Sequence, residues 1–275
     1  MDTHSSVGSG AGSAADPGAL PRSALLALWL AAVARTHDDG TLTRLLRAVQ
    51  RDDEPHVVSG ALGELRLTDL LGAWAGDVLE VVALAPAPGD VTGTPPQVAP
   101  AATGAGECVL VTTSAGSWSL VPGVTEFGSE LEPGHLVTWH VERTEPWVRR
   151  VQGAVGTLSE SEGELRTALL VATRALDDLD VARWREDAAD AIAGLRSGGA
   201  PGWQLPDSAS ARAVRVLTQA VRLRAIVDLA AADDGGAVNL WQADQRSTAL
   251  REVDRASRRA VGAASLWTHE APDAR

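Results

Sequence analysis

The spacing of apolar residues changes at Ser159, and that change most limits what the chain can fold into. Beyond it, apolar side chains recur only at three- and four-residue steps, the period of a helix with one buried stripe. Leu165, Leu169, Ala172, Leu176 and Leu179 form one such stripe, opened by the capping-box pattern Ser159-x-x-Glu162. Val181, Trp184, Ala188, Ile192 and Leu195 form a second, which ends at Gly198-Gly199. After the Pro201 to Pro206 linker, Asp207 or Ser208 is placed to cap a long helix running to about Ala232 and stopped by Gly235-Gly236. Asn239 caps a last helix whose Leu250, Val253, Ala260, Ala264 and Trp267 share a face. Helices joined by short connections predict an all-α bundle over residues 157–270.

Before Ser159 the pattern is mixed. Residues 1–18 are Gly, Ser and Ala with little to bury, so a disordered tail is expected there. Leu25, Leu28, Trp29 and Ala32 predict a first helix, and Leu42, Leu45, Leu46 and Val49 a second after the turn Asp38-Asp39-Gly40. His56 to Val58 reads as a short strand, Leu65 to Trp74 as a third helix, and Val78 to Leu84 as a buried strand. Pro86 to Gly106 has no periodicity and reads as one long loop. Glu107 to Thr113 and Ser117 to Val121 form a hairpin across Ala115-Gly116, followed by a strand from Leu136 to Val141. The expected class is therefore α+β: helices and a small antiparallel sheet of three or four strands over residues 19–156, then the helical bundle.

Composition closes several functional classes. All 24 cationic side chains are Arg, a bias typical of GC-rich coding sequence, and without Lys there is no phosphate-clamping ammonium and no Schiff-base nucleophile. Neither a Walker A loop nor a Gly-x-Gly-x-x-Gly turn is present. Cys108 stands alone, which excludes an intrachain disulfide and a cysteine zinc site and fits a reducing, cytoplasmic compartment. The six His contain no His-Glu-x-x-His, and His135 and His140, five apart on a strand, point to opposite faces. No Ser sits in a Gly-x-Ser-x-Gly elbow. A formal charge of −12 opposes nucleic acid and anionic membrane, and it falls mainly on residues 1–156, with nine Arg against 18 acids. The apolar run Ala24 to Ala34 follows an acidic start and is about half the roughly 20 residues a bilayer requires, so it reads as a core helix.

Three groups of residues are candidates for chemistry. Asp90 stands in Pro86-x-Pro88-Gly89-Asp90-x-x-Gly93, directly after a buried strand, where ligand loops often begin; the plainer reading is a rigid Asx turn. Asp233 and Asp234 precede Gly235-Gly236, where Val238 and Asp244 stand in the places a calcium loop reserves for Gly and Glu, so a helix-ending glycine is the better account. Acids at a helix C-terminus call for an Arg partner, with Arg246 or Arg183 as candidates. Arg251, Arg255, Arg258 and Arg259 line the last helix, with Arg212, Arg215 and Arg222 on the one before. Such a stripe can hold phosphate or an acidic partner, or it can pair internally with acids such as Asp177, Asp178 and Asp180 beside Arg183, Trp184 and Arg185.

The segments Leu179-Asp180-Val181-Ala182-Arg183-Trp184-Arg185 and Ile226 to Leu229 through Asp233 to Val238 resemble a family of conserved actinobacterial proteins of unknown function. The resemblance covers most of residues 22–265. It carries no catalytic residues over; it does imply, as one expectation, an adaptor of a ParA-type chromosome-segregation ATPase. The residues themselves favour a non-catalytic interaction or regulatory protein with a protein partner, no cofactor and no metal. The rival is a small-molecule binder or enzyme with a site at the junction of the halves, bordered by Asp90, Trp118 or Trp139.

Overall fold

The computed structural model describes residues 18–36, 39–51, 53–129, 132–178, 202–232 and 240–269. Ala24 to Ala34 lies within α1 (Arg22–Thr36), in which every residue from Ser23 to Ala34 is buried. A helix that is apolar all round must be enclosed on all sides. It is: the sheet, α2 (Asp39–Gln50) and the last helix of the chain surround it.

The sheet corrects the expected α+β class. Its seven strands run in the order β2-β1-β6-β5-β4-β3-β7, rather than three or four antiparallel ones. The strands are β1 (Val57–Gly60), β2 (Leu65–Arg66), β3 (Val78–Leu84), β4 (Cys108–Thr113), β5 (Gly116–Ser129), β6 (Glu132–Thr144) and β7 (Trp267–Thr268). β1 lies parallel to β6, with Val58 opposite Trp139, and the other pairings are antiparallel. Parallel pairing needs a long connection. Short-range periodicity therefore does not reveal it.

Smaller corrections follow from local hydrogen bonding. Leu65–Arg66 pairs with β1, so α3 covers only Leu67–Trp74. The presumed loop after β3 contains α4 (Ala99–Ala105), begun by a proline in its first turn and ended by Gly106 at φ +73°. α5 spans Val148–Val155. The capping box belongs to Thr157 and Glu160: the Thr157 N–H donates to Glu160 at 2.7 Å and the Glu160 N–H to Thr157 Oγ1 at 3.2 Å, starting α6 (Leu158–Asp178). Ser210 caps α7 (Ala211–Ala232) by accepting from the Ala213 N–H.

The second half is not a separate all-α bundle. Its last helix, α8 (Leu240–Ser265), packs on β3 as well as on α6 and α7. Ser265 ends that helix against the sheet, its Oγ accepting the Ala83 N–H at 3.0 Å. Trp267, expected on the helix face, instead enters β7 opposite Val81. Gly262 allows the close approach, since a Cβ there would lie 2.7 Å from Val155 and 3.4 Å from Leu84.

Each sheet face has its own core. Val81, Val109, Trp118, Leu120, Trp139 and Val141 pack with α1 and α3, and with buried residues of α7 and α8, in one continuous cluster. Val82, Leu84, Leu110 and Val121 pack with Ala102, Trp147, Val151 and Val155 on the other face.

Candidate functional site

Two of the sequence candidates meet. The turn after β3 closes through a bridge between Ala87 and Asp90, and Asp90 Oδ1 accepts from the Thr92 N–H at 3.1 Å, an Asx turn. The free oxygen, Oδ2, faces α8, where it lies 3.2 Å from Arg258 Nη2 and 3.6 Å from Arg255 Nε. Arg258 also donates to the Asp90 carbonyl at 3.2 Å and, through Nε, to Asp254 at 2.8 Å. Its side chain is 6% exposed. This guanidinium locks the Pro86–Gly93 turn onto the last helix and has no free face for a ligand.

Two further arginines of the stripe are used in a similar way. Arg259 donates to the Ala154 carbonyl at 2.8 Å and pairs with Glu164 at 3.2 Å, tying α8 to α5 and α6. Arg212 pairs with Glu162 at 2.8 Å and donates to Ser159. Arg251 donates to the Ser247 carbonyl and to Thr248 within its own helix. Arg255, 56% exposed, keeps the most open guanidinium of the Asp90 cluster. Asp180, Arg183, Trp184, Arg185, Asp233 and Asp234 lie outside the described residues, as do the proposed cap at Asn239 and the tail 1–17.

Trp118 and Trp139 do not border an opening with Asp90. Both are buried in the core beneath α1 and α3, the first donating to Thr113 Oγ1 and the second to His56 Nδ1, each at 3.2 Å.

That second bond leads to a polar centre that sequence reasoning missed. Asp53 accepts from Arg22 Nε at 3.0 Å and Nη2 at 3.1 Å, a two-pronged pair joining α1 to the segment before β1. His56, fully buried, lies 3.1 Å from Asp53 through Nε2. An indole N–H can only donate, so Nδ1 is the acceptor and the imidazole proton sits on Nε2, directed at Asp53. His135 Nδ1 lies 3.3 Å from the other Asp53 oxygen, and its Nε2 lies 3.6 Å from Glu126. Burial works against the Asp53 carboxylate, yet the bonds from Arg22 and His56 hold its pKa below the ordinary value. Burial lowers the His56 pKa, opposed by Asp53.

An acid–imidazole pair can serve as a general base only if the second ring nitrogen reaches substrate. In His56 that nitrogen is occupied by Trp139 and the ring is enclosed, so the cluster staples α1, β1 and β6 together. No motif announced it, because Arg22, Asp53, His56 and Trp139 are scattered along the chain.

The exposed apolar residues tell a different story. β5 and β6 run past their neighbours as a two-stranded ribbon in which Val124 to Ser129 are all exposed. Thr125 pairs with Leu136 and Phe127 with Gly134, whose missing side chain leaves room for the ring: a Cβ there would stand 2.5 Å from it. Phe127 (45% exposed), Leu136 (49%) and Val57 (43%) form a diagonal across three strands on one face. Glu132 and Glu142 share that face by register. Residues 52–142 hold 13 acids and a single cation, Arg66, a formal charge of −12 equal to that of the whole chain. Arg66 is itself paired with Asp69 at 3.3 Å.

Among the described residues no group of three or more His, Cys, Asp or Glu could hold a metal ion, and no helix is long and apolar enough to cross a membrane. The fold and its surface thus define a mixed α/β protein whose sheet and C-terminal helices share one core. The chain belongs to the Rv1486c-like family: residues 23–152 match the model of its N-terminal domain and residues 159–262 that of its C-terminal domain. No curated protein and no solved structure matches the chain.

Proposed function

We propose that this protein is a non-catalytic protein-interaction protein that engages its partner through the β5–β6 ribbon and the adjoining β1. The observation that carries this reading is the apolar diagonal Val57, Leu136 and Phe127, left uncovered on the acid-rich half of the molecule. Contiguous exposed apolar surface bounded by charge is the usual mark of an interaction site. The described polar clusters favour the same reading, because Arg258 and His56 are enclosed and Arg259 and Arg212 are engaged by partners within the fold.

A photo-crosslinking residue placed at Leu136, with a second variant at the equally exposed Val91 as reference, tests the reading in cells of the native host. A discrete product at position 136, absent at 91 and abolished by Phe127→Ser, is the expected result. Equal labelling at both positions, or no discrete product at 136, would remove the ribbon from consideration.

A further inference from the structure

The way a partner would bind can be read from the backbone of the ribbon. β4 accompanies β5 only as far as Leu120, and among the described residues no strand lies along the far side of β5 beyond that point. Pro122, opposite Trp139, has no N–H, and a proline is tolerated in a paired strand where that position faces away from the neighbour. Successive residues of an antiparallel strand turn their peptide groups to alternate sides, so Val124, Glu126 and Gly128 share the orientation of Pro122. Their N–H and C=O groups are directed outward along an edge.

Such edges are ordinarily blunted by proline, lysine or a covering element, because an unpaired row of peptide groups recruits other strands. From Val124 to Ser129 there is neither proline nor any cation. The two faces beside this edge differ. Thr125 and Phe127 lie on the side of Leu136, whereas Val124 and Glu126 lie on the side of His135 and Val137. A strand added here would set alternate residues against Phe127 and the intervening ones against Glu126.

Resting on the interaction reading above, we propose that the β5 edge from Val124 to Ser129 takes up an extended partner segment as an added strand, with apolar residues alternating with Arg or Lys. Charge selects this occupant over a second copy of the chain. Two copies joined here would bring together two segments of formal charge −12, whereas the cations of a basic strand fall on the face of Glu126 and neutralise it.

The test uses the full-length protein with two labelled synthetic peptides, one of alternating Val and Arg and one of alternating Val and Glu. Binding is followed by fluorescence anisotropy, and amide hydrogen exchange maps where it occurs. The Val/Arg peptide should bind about tenfold or more tightly than the Val/Glu peptide and should weaken as salt is raised. It should also slow exchange at Val124, Glu126 and Gly128. Glu126→Pro removes one outward donor and should lower affinity about tenfold, whereas Glu126→Gln should lower it less and reduce the salt dependence. If the proline variant loses the ribbon, as judged by exchange at the β6 partners, the wild-type exchange map and the glutamine variant decide the matter.

Equal affinity for the two peptides, protection elsewhere, or a dimer protecting this same edge would overturn the proposal. A discrete cross-link at position 136 combined with an unprotected edge would leave the interaction reading standing and defeat only the added strand. Failure of both experiments would defeat both.

Discussion

Asp90 and Arg258 are separated by 168 residues and meet at 3.2 Å, with the guanidinium almost wholly enclosed. One arginine thereby holds the turn after β3 against the last helix. Among the described residues, removing it leaves Asp90 only Arg255 and Asp254 only Arg224 as cationic partners, each at 3.6 Å. Because both acids are partly exposed, the cost should not exceed about 3 kcal/mol, the lower end for a broken buried pair. Arg258→Ala should lower the urea midpoint accordingly, and Asp90→Ala by less, since Arg258 keeps Asp254. A double-mutant cycle in which the two effects simply add would contradict the coupling.

Acid should weaken the fold in two stages, both from the cluster around Asp53. The His56 pKa is lowered in the fold, so the unfolded chain binds its proton first, near the ordinary 6.5; stability from this group is complete above that value and declines as pH falls below it. The Asp53 pKa is also lowered, so its contribution is complete above the ordinary 3.8 and is lost as pH falls through the depressed folded value. Denaturant midpoints measured from pH 8 to pH 3 should therefore fall in both windows. His56→Asn should flatten the first window and keep a reduced second one, which Arg22 still supports, and an unchanged slope near pH 6 would rule out this assignment.

Glycines on two of the C-terminal helices should respond in opposite directions. At Gly262 a side chain would run into Val155 and Leu84, so Gly262→Leu should destabilise by about 2 kcal/mol or more through overpacking. Gly163 in α6 has open space around it, and Gly163→Ala should stabilise by about 0.5 to 1 kcal/mol through helix propensity. Thermal melts of the two variants give the comparison. A tolerated leucine at 262 would mean that α8 does not pack on β3 as described.

Cys108 should be inert while the protein is folded. It is fully buried, and its thiol is pushed up to about 12, chiefly by that burial and then by neighbouring Glu107. Since the thiolate is the reactive form, an aromatic disulfide reagent should label it only at the rate of unfolding. Fast native-state labelling would show that the β3–β4 region opens on its own.

Elements whose cause is local were legible from the residues. The unbroken apolar run from Ala24 to Ala34 could only be an enclosed helix, and Val78 to Leu84 forms the strand its composition suggested. The hairpin at Ala115-Gly116 and the helix reaching Ala232 followed from a turn and a period. The candidate site was legible in part: Asp90 and Arg258 stood out singly, but nothing local to either showed that they were partners. The exposure of Phe127 and of Leu136, the first residue of an expected strand, was not legible, because an apolar residue in a strand looks the same whether it is covered or open.

Periodicity establishes that an element has an apolar face; it does not establish which surface that face will cover. The stripe of α8 fits a helical bundle and a sheet equally well, and only packing at Gly262 and the hydrogen bond from Ala83 to Ser265 set it against β3. The parallel pairing of β1 with β6 and the enclosure of His56 by Trp139 and Asp53 likewise join residues far apart in the chain. Local spacing determined where helices and strands could form. Long-range burial and hydrogen bonding decided how they assembled, because those terms depend on the partner as much as on the residue.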